Sequence, residues 1–286
     1  MNLPLARYRL YQEVQQPDSH ISLASAALYI AQEEYPHLDV EEYIAALDAM
    51  AEEVLEQLPP QRYPLKVIQT INQYLFRDLG FRGNTTDYYD PRNSFLNEVI
   101  ERRTGIPITL SLVYLEIARR VDFPMVPIGL PGHFLIRPEF AEVGIYVDAF
   151  HEGNLLFTED CQERLAQVYG EHAKLQPEFL QPVSHRFFLV RMLTNLKHIY
   201  LAEADLQRGL ACVERILVLV PEALLEWRDR GLLYYQLGRW AEARQDLEQF
   251  LQGIPQSSEA WLSEARVIRK LLETLNQGLP EARDPS

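Results

Sequence analysis

Apolar positions recur at helical spacing over the first 80 residues, and the period changes further along. Ile21, Leu23, Ala26, Ala27, Ile30 and Ala31 form one apolar face. Val40, Tyr43, Ile44, Leu47, Met50, Ala51 and Val54 form another, closed by Leu58-Pro59-Pro60, so residues 4–60 predict two antiparallel helices. A third helix carries Val67, Ile68, Ile71, Tyr74 and Leu75 on one face, and Gly80 with Gly83-Asn84 marks the turn after it. Residues 85–92 read as a loop and residues 94–103 as a short helix. In Thr104-Gly105-Ile106-Pro107 the glycine suits a helix C-cap, and the proline cannot continue the preceding helix. The run LSLVYLEIARR directly after Thr109 is apolar nearly all round, the mark of a buried helix that forms the spine of a domain.

After Asp122-Phe123-Pro124 the pattern becomes that of strands: 126–130, 134–137 and 145–149, separated by Pro131-Gly132 and by a loop over 138–144. The first domain, residues 1–180, is therefore predicted to be α+β, with helices first and then a small antiparallel sheet packed on the buried helix. Residues 158–170 read as a helix with Thr158 as its cap, and 171–186, with Pro177 and Pro182, as a connector.

From 187 to 278 the chain repeats itself. Tyr200 and Tyr234, Pro221 and Pro255, and Trp227 and Trp261 are each separated by 34 positions. Trp227, Gly231, Tyr234, Gly238, Ala243 and Pro255 match the spacing of a tetratricopeptide repeat, a helix pair of that period, which predicts an all-α second domain. The preceding unit is degenerate, with Leu193 in place of the tryptophan and Lys197 in place of the first glycine; the third starts at Trp261 and runs into the polar tail 277–286. Trp227, Tyr234 and Trp261 read as core, and Tyr235 and Trp240 as surface. Such arrays bind peptides along a concave face, so the expected partner is a protein or peptide held by the repeats.

Charge narrows the partners. The formal net charge is -14, and the acidic excess lies in the first 180 residues; with no basic surplus in either half, nucleic acid is excluded as a partner. Arg102-Arg103 and Arg119-Arg120 read as helix-end charges. No stretch is apolar enough to span a bilayer and the first residues lack the apolar core of a secretory signal, so a cytoplasmic location is expected. Cys161 and Cys212 have no partner at redox or metal spacing and read as small core residues.

Candidate chemistry lies between residues 90 and 150. His133 follows Pro131-Gly132 at the mouth of a strand and Asp148 lies on the next strand, so the two can face each other as a cross-strand pair, the carboxylate fixing the imidazole's tautomer. Asn97, on the helix before the break, and Gly132 are taken as lining the same cleft. A thiol at the start of the buried helix would complete a catalytic set, because the helix dipole lowers its pKa. His151 could add a metal ligand, but it lies in the turn HEGN and reads as an exposed turn histidine, so no metal or other cofactor is assigned. His185 and His198 are given no role.

GLPGHFLIR followed by YVDAF resembles the histidine and aspartate strands of transglutaminase-like (papain-like) domains. Together with NEVIERRTGIPITLSLVYLEIARR it is similar to the SirB-type branch, bacterial proteins that often carry tetratricopeptide repeats after the domain. The resemblance implies that His133 and Asp148 match the histidine and aspartate of the family's triad. Its cysteine has no counterpart among Pro107, Ile108, Thr109, Leu110 and Ser111. A hydroxyl is a far weaker nucleophile at neutral pH, so Thr109 reads as the N-cap of the buried helix and Ser111 as a small first-turn residue. The expected function is a protein-interaction or regulatory scaffold whose cleft is catalytically inactive. Two alternatives stand beside it: a hydrolase or acyltransferase using His133 and Asp148 with an unusual nucleophile, Thr109 or Ser111, and a small-molecule binder using the same cleft.

Overall fold

The computed structural model describes residues 4–140, 144–255 and 259–276, so part of the expected 138–144 loop and all of the 277–286 tail lie outside the described residues. The amino-terminal pattern folds as three helices, not two: α1 (Leu5–Glu13), α2 (Leu23–Gln32) and α3 (Val40–Gln57). The additional helix, α1, buries only Ala6, Arg7 and Leu10, too little apolar periodicity to be read in the sequence. Ser22 caps α2 by accepting from the Ser25 amide, and Asp39 caps α3 by accepting from that of Glu41. α4 (Pro64–Asn72) runs into a π-helical turn, residues 73–78, that buries Tyr74, Leu75 and Phe76.

Gly105 does not cap the next helix. α5 (Leu96–Arg102) ends with Arg103 in the left-handed region at φ 53°, while Gly105 and Thr104 form a short strand. That strand, β2 (Thr104–Gly105), pairs in parallel with β1 (Arg82–Gly83). Directly after it comes α6 (Pro107–Arg120), in which every residue from Pro107 to Ala118 is buried. Its one buried acid, Glu116, is neutralised by Arg119 at 3.0 Å and by Arg120, which also reaches Asp48 at 2.6 Å. The arginines at the end of this helix are thus structural cations.

On α6 lies an antiparallel meander of four strands, where the hydropathy pattern predicted three: β3 (Met125–Ile128), β4 (Leu135–Pro138), β5 (Tyr146–Asp148) and β6 (Asn154–Leu156). β6 is three residues long, too short to display alternation. α7 (Thr158–Tyr169) covers one face of the sheet through Cys161 and Leu165. Residues of the 171–186 stretch pack on that same face: Leu175, Phe179 and Leu180 join a cluster with Ile128, Leu135 and Tyr146, and the Val183 amide donates to the Pro127 carbonyl.

The chain divides into two compact units, Met1–Asn195 and Leu196–Ser286, and the dividing point falls inside α8 (His185–Ala202). The second unit continues with α9 (Leu206–Leu219), α10 (Leu224–Gln236), α11 (Trp240–Gly253) and α12 (Glu259–Asn276), the succession of helix pairs expected of tetratricopeptide repeats. Gly231 is there for space, since a Cβ would meet Leu247 at 2.7 Å. At the corresponding place one repeat earlier, Lys197 is buried with its ammonium 2.6 Å from Glu226 and 3.0 Å from Asp229. Trp240 is exposed and stacks edge-on with Tyr235. Among the described residues no helix is long and apolar enough to cross a membrane.

The repeat symmetry exposes one strained position. Gly238 ends α10 at φ 73°, and its equivalent one repeat earlier, Ala204, holds φ 58°. An alanine there costs about 1–2 kcal/mol relative to a relaxed backbone, and the exposed side chain adds no packing in return. Ala204→Gly is expected to raise the stability of the second unit by about 1 kcal/mol. A higher chemical-denaturation midpoint with an unchanged slope is the measurement that checks it.

Candidate functional site

Asp148 closes β5 and is fully buried. Its Oδ1 accepts from the backbone amides of Phe150 at 3.1 Å and His151 at 3.3 Å, so the carboxylate first serves as the cap of a one-turn 3-10 helix over Ala149–His151. That tight turn brings the His151 side chain back onto its own cap, with Nδ1 2.8 Å from Oδ2. Two further groups reach the same oxygen: His133 Nε2 at 3.0 Å and Arg164 Nη2, from α7, at 3.2 Å. Arg164 Nη1 also lies 3.4 Å from His151 Nε2.

Burial on its own would raise the pKa of Asp148. The hydrogen bonds and charges of His133 and His151 outweigh it and hold the carboxyl well below its usual range. His133 approaches Oδ2 to 3.0 Å with its buried Nε2 off the line of an ideal hydrogen bond.

The expected pairing of His133 and Asp148 takes a different form from the one the strands suggested. Ile136 pairs with Val147, so the residue across from Asp148 on β4 is Leu135, and His133 lies in the bend before that strand. His151, read as an exposed turn histidine, is only 36% exposed and sits on the carboxylate. Gly132 is a packing point: at φ 74° its missing Cβ leaves room for Val168, which would be 2.7 Å away, and this seats α7 and Arg164 against the bend.

The residues at the start of α6 are buried. Pro107 is the first residue of α6, so Thr109 occupies the third position and is not the N-cap. It is fully buried; its hydroxyl accepts from the Ile106 amide at 3.1 Å and donates to the Asn93 carbonyl at 2.7 Å. Ser111 is fully buried with no partner for its hydroxyl, and Asn97, in the first turn of α5, is 4% exposed with an unpartnered Oδ1. No hydrogen bond or ion pair among the described residues joins Asn97, Thr109 or Ser111 to His133 or Asp148. Cys161 is buried on the sheet-facing side of α7, the pKa of its thiol pushed up to about 12 by burial and by Asp160 and Asp148. His185 is structural, with Nδ1 2.9 Å from the Ile21 carbonyl.

One part of the site gave no signal in the sequence. In the 84–93 loop Asn84 donates to the Asn93 side chain at 3.1 Å and accepts from the Asp87 amide. Asn93 donates in turn to the carbonyls of Asp87 and Tyr88. This lattice presents Tyr88 edge-on to Phe150, whose ring packs against both His133 and His151. Tyr89 stands beside Tyr88 at 73% exposure. The rim of the histidine cluster is therefore aromatic. A cluster of two asparagines and an aspartate in a polar loop looks like ordinary turn chemistry until the fold closes it over Phe150. A separate depression of about 410 Å³, lined by Arg137, Tyr146, Thr158 and Leu180 among others, includes no residue of this cluster.

Residues 41–194 match the family model described as the transglutaminase-like superfamily, and residues 196–274 match that of the tetratricopeptide repeat. A UPF0162 protein of Xylella fastidiosa (strain 9a5c) is 40% identical, the match covering 83% of this chain and 86% of that one. A UPF0162 protein of Vibrio cholerae is 33% identical over 67% of this chain and 71% of its own. F-box only protein 21 of Homo sapiens is 30% identical over 80% of this chain and 41% of its own length. No solved structure matches the chain.

The depressed pKa of Asp148 carries a pH dependence of definite sign. A carboxyl whose folded pKa lies below the unfolded value of about 3.9 contributes stability that is fully present above that value and is lost as pH falls from there through the folded pKa. Asp148→Asn is expected to cost about 3–5 kcal/mol at neutral pH, because Arg164 loses its buried anion and the two imidazoles lose their acceptor. The variant should also show a shallower loss of stability than the parent between about pH 5 and pH 2. Denaturant unfolding of both proteins across that range checks the two statements together.

Proposed function

The chain belongs to the UPF0162 family of transglutaminase-like proteins with carboxy-terminal tetratricopeptide repeats, and from that membership we propose that it acts as a cytoplasmic interaction scaffold. The repeats hold a protein partner, and the cleft of the first domain performs no acyl transfer. Tetratricopeptide repeats mediate protein interactions in general, which supports the first half of the reading. The second half rests on one observation. The hydroxyls at the start of α6, those of Thr109 and Ser111, are both fully buried, with that of Thr109 donating to the Asn93 carbonyl, so neither is exposed to a substrate or bonded to a base.

Acyl transfer needs a nucleophile within hydrogen-bond reach of its base. Here Asp148 is surrounded by His151, His133 and Arg164, and neither histidine has a hydroxyl or thiol as a hydrogen-bond partner among the described residues. Cys161, with its pKa raised to about 12, is a thiol and not a thiolate at neutral pH.

Charged side chains of α8, α10 and α12 pair with one another in the second unit. Arg228 bridges Asp229 and Glu264, and Glu226 and Asp229 hold Lys197, a line of alternating charges of the kind that gives register to a bound segment. The test has two arms. Purified protein offered glutamine-containing peptides and a primary amine is expected to release no ammonia above the level of His133→Ala; release that vanishes in that variant overturns the reading. Partners recovered by affinity purification of the full chain are expected to be lost with Arg228→Glu and retained with His133→Ala. The reverse pattern would move the interaction to the cleft.

A further inference from the structure

We propose that His133, Asp148 and His151 bind a divalent transition-metal ion, and that the Arg164 guanidinium fills the cation's place when the metal is absent. This goes beyond the scaffold reading and does not depend on whether the repeats hold a partner.

One ring nitrogen of each histidine and a carboxylate oxygen of Asp148 lie within 4.8 Å of one another. Two imidazoles and one carboxylate are a donor set that suits zinc and its neighbours in the first row, with a fourth position left for water. The three donors are held by different parts of the local fold. Val168, packed against Gly132, fixes the bend that carries His133, and the amides of Phe150 and His151 fix the turn that carries His151. Those amides occupy Oδ1 of Asp148, which leaves Oδ2 as a single-oxygen ligand aimed at both imidazoles.

Two observations point to a ligand and not to a completed hydrogen-bond cluster. The Nε2 of His133 is buried and has no aligned partner, although it is 3.0 Å from a carboxylate that is itself fully buried. A buried polar atom left without a bond costs about 1–3 kcal/mol, and coordination would satisfy it. The cluster also already attracts a cation: Arg164 reaches across from α7 to place Nη2 3.2 Å from Oδ2 and Nη1 3.4 Å from His151. Its side chain is 24% exposed and that of His151 36%, and the two lie side by side at 3.4 Å, so the guanidinium can swing outward and leave its place to an ion. Binding then exchanges one cation for another at Oδ2 and draws any proton from the two coordinating nitrogens into solvent.

The experiment uses the full chain, freed of metal by a chelator and then titrated with cobalt(II) or zinc(II) alone. One equivalent of cobalt is expected to bind with the visible absorption of a four- or five-coordinate site, and zinc is expected to displace it. His151→Ala removes a half-exposed ligand from a folded protein and is expected to weaken binding about tenfold or more, as is His133→Ala. Arg164→Gln is expected to bind more tightly than the parent, since the competing cation is gone. A purely structural role for the cluster predicts the opposite for this variant: lower stability and no metal. Absence of stoichiometric uptake at micromolar ion by both the parent and Arg164→Gln overturns the proposal, as does uptake that His151→Ala leaves unchanged.

Discussion

A carboxylate withdrawn from water has to be neutralised where it stands, and in the first unit this requirement falls on Asp148. Five groups meet it: two amides, two imidazoles and a guanidinium. They come from the bend before β4, the turn after β5 and the helix over the sheet, so a single anion draws three separate pieces of chain to one point. The apolar side of the same construction is α6, buried along twelve consecutive residues. The helix sets where the sheet lies, and the anion sets where the loops at its end converge.

The same sharing sets this carboxylate apart from one that serves a single histidine. An aspartate that orients a catalytic histidine normally has that histidine as its main partner, leaving the far nitrogen of the ring for a nucleophile. Here the carboxylate is shared with His151 and Arg164, and the nearest helix start offers a threonine whose hydroxyl is bonded to the main chain. The arrangement brings His133 and Asp148 together and directs the bonding of the carboxylate inward.

Much of the fold was legible because it rests on periodicity. The buried α6, three of the four strands and the repeat of 34 residues are all patterns that hydrophobic burial writes into a sequence. What could not be read depends on residues far apart in the chain. Arg164 is an ordinary helix arginine until Val168 seats its helix against Gly132. His151 looked exposed because its turn is glycine-containing and polar, yet the cap made by Asp148 turns the ring inward. β6 was too short to show a period, and at the end of α5 the left-handed cap fell on Arg103, against the usual preference for glycine. In the candidate site, His133 and Asp148 were identified from their order in the chain; their register, their third and fourth partners and the aromatic rim were not.

The hydroxyl of Thr109 joins two parts of the molecule that a designer would wish to treat separately. Through Asn93 it is tied to the loop that carries Tyr88, and through the Ile106 amide to the start of α6. Replacing this threonine by a residue without a hydroxyl would therefore remove the donor to the Asn93 carbonyl, and the rim beside the histidines would loosen with it. The start of α6 and the aromatic rim are in this sense a single construction, and neither can be redesigned without a second anchor for Asn93.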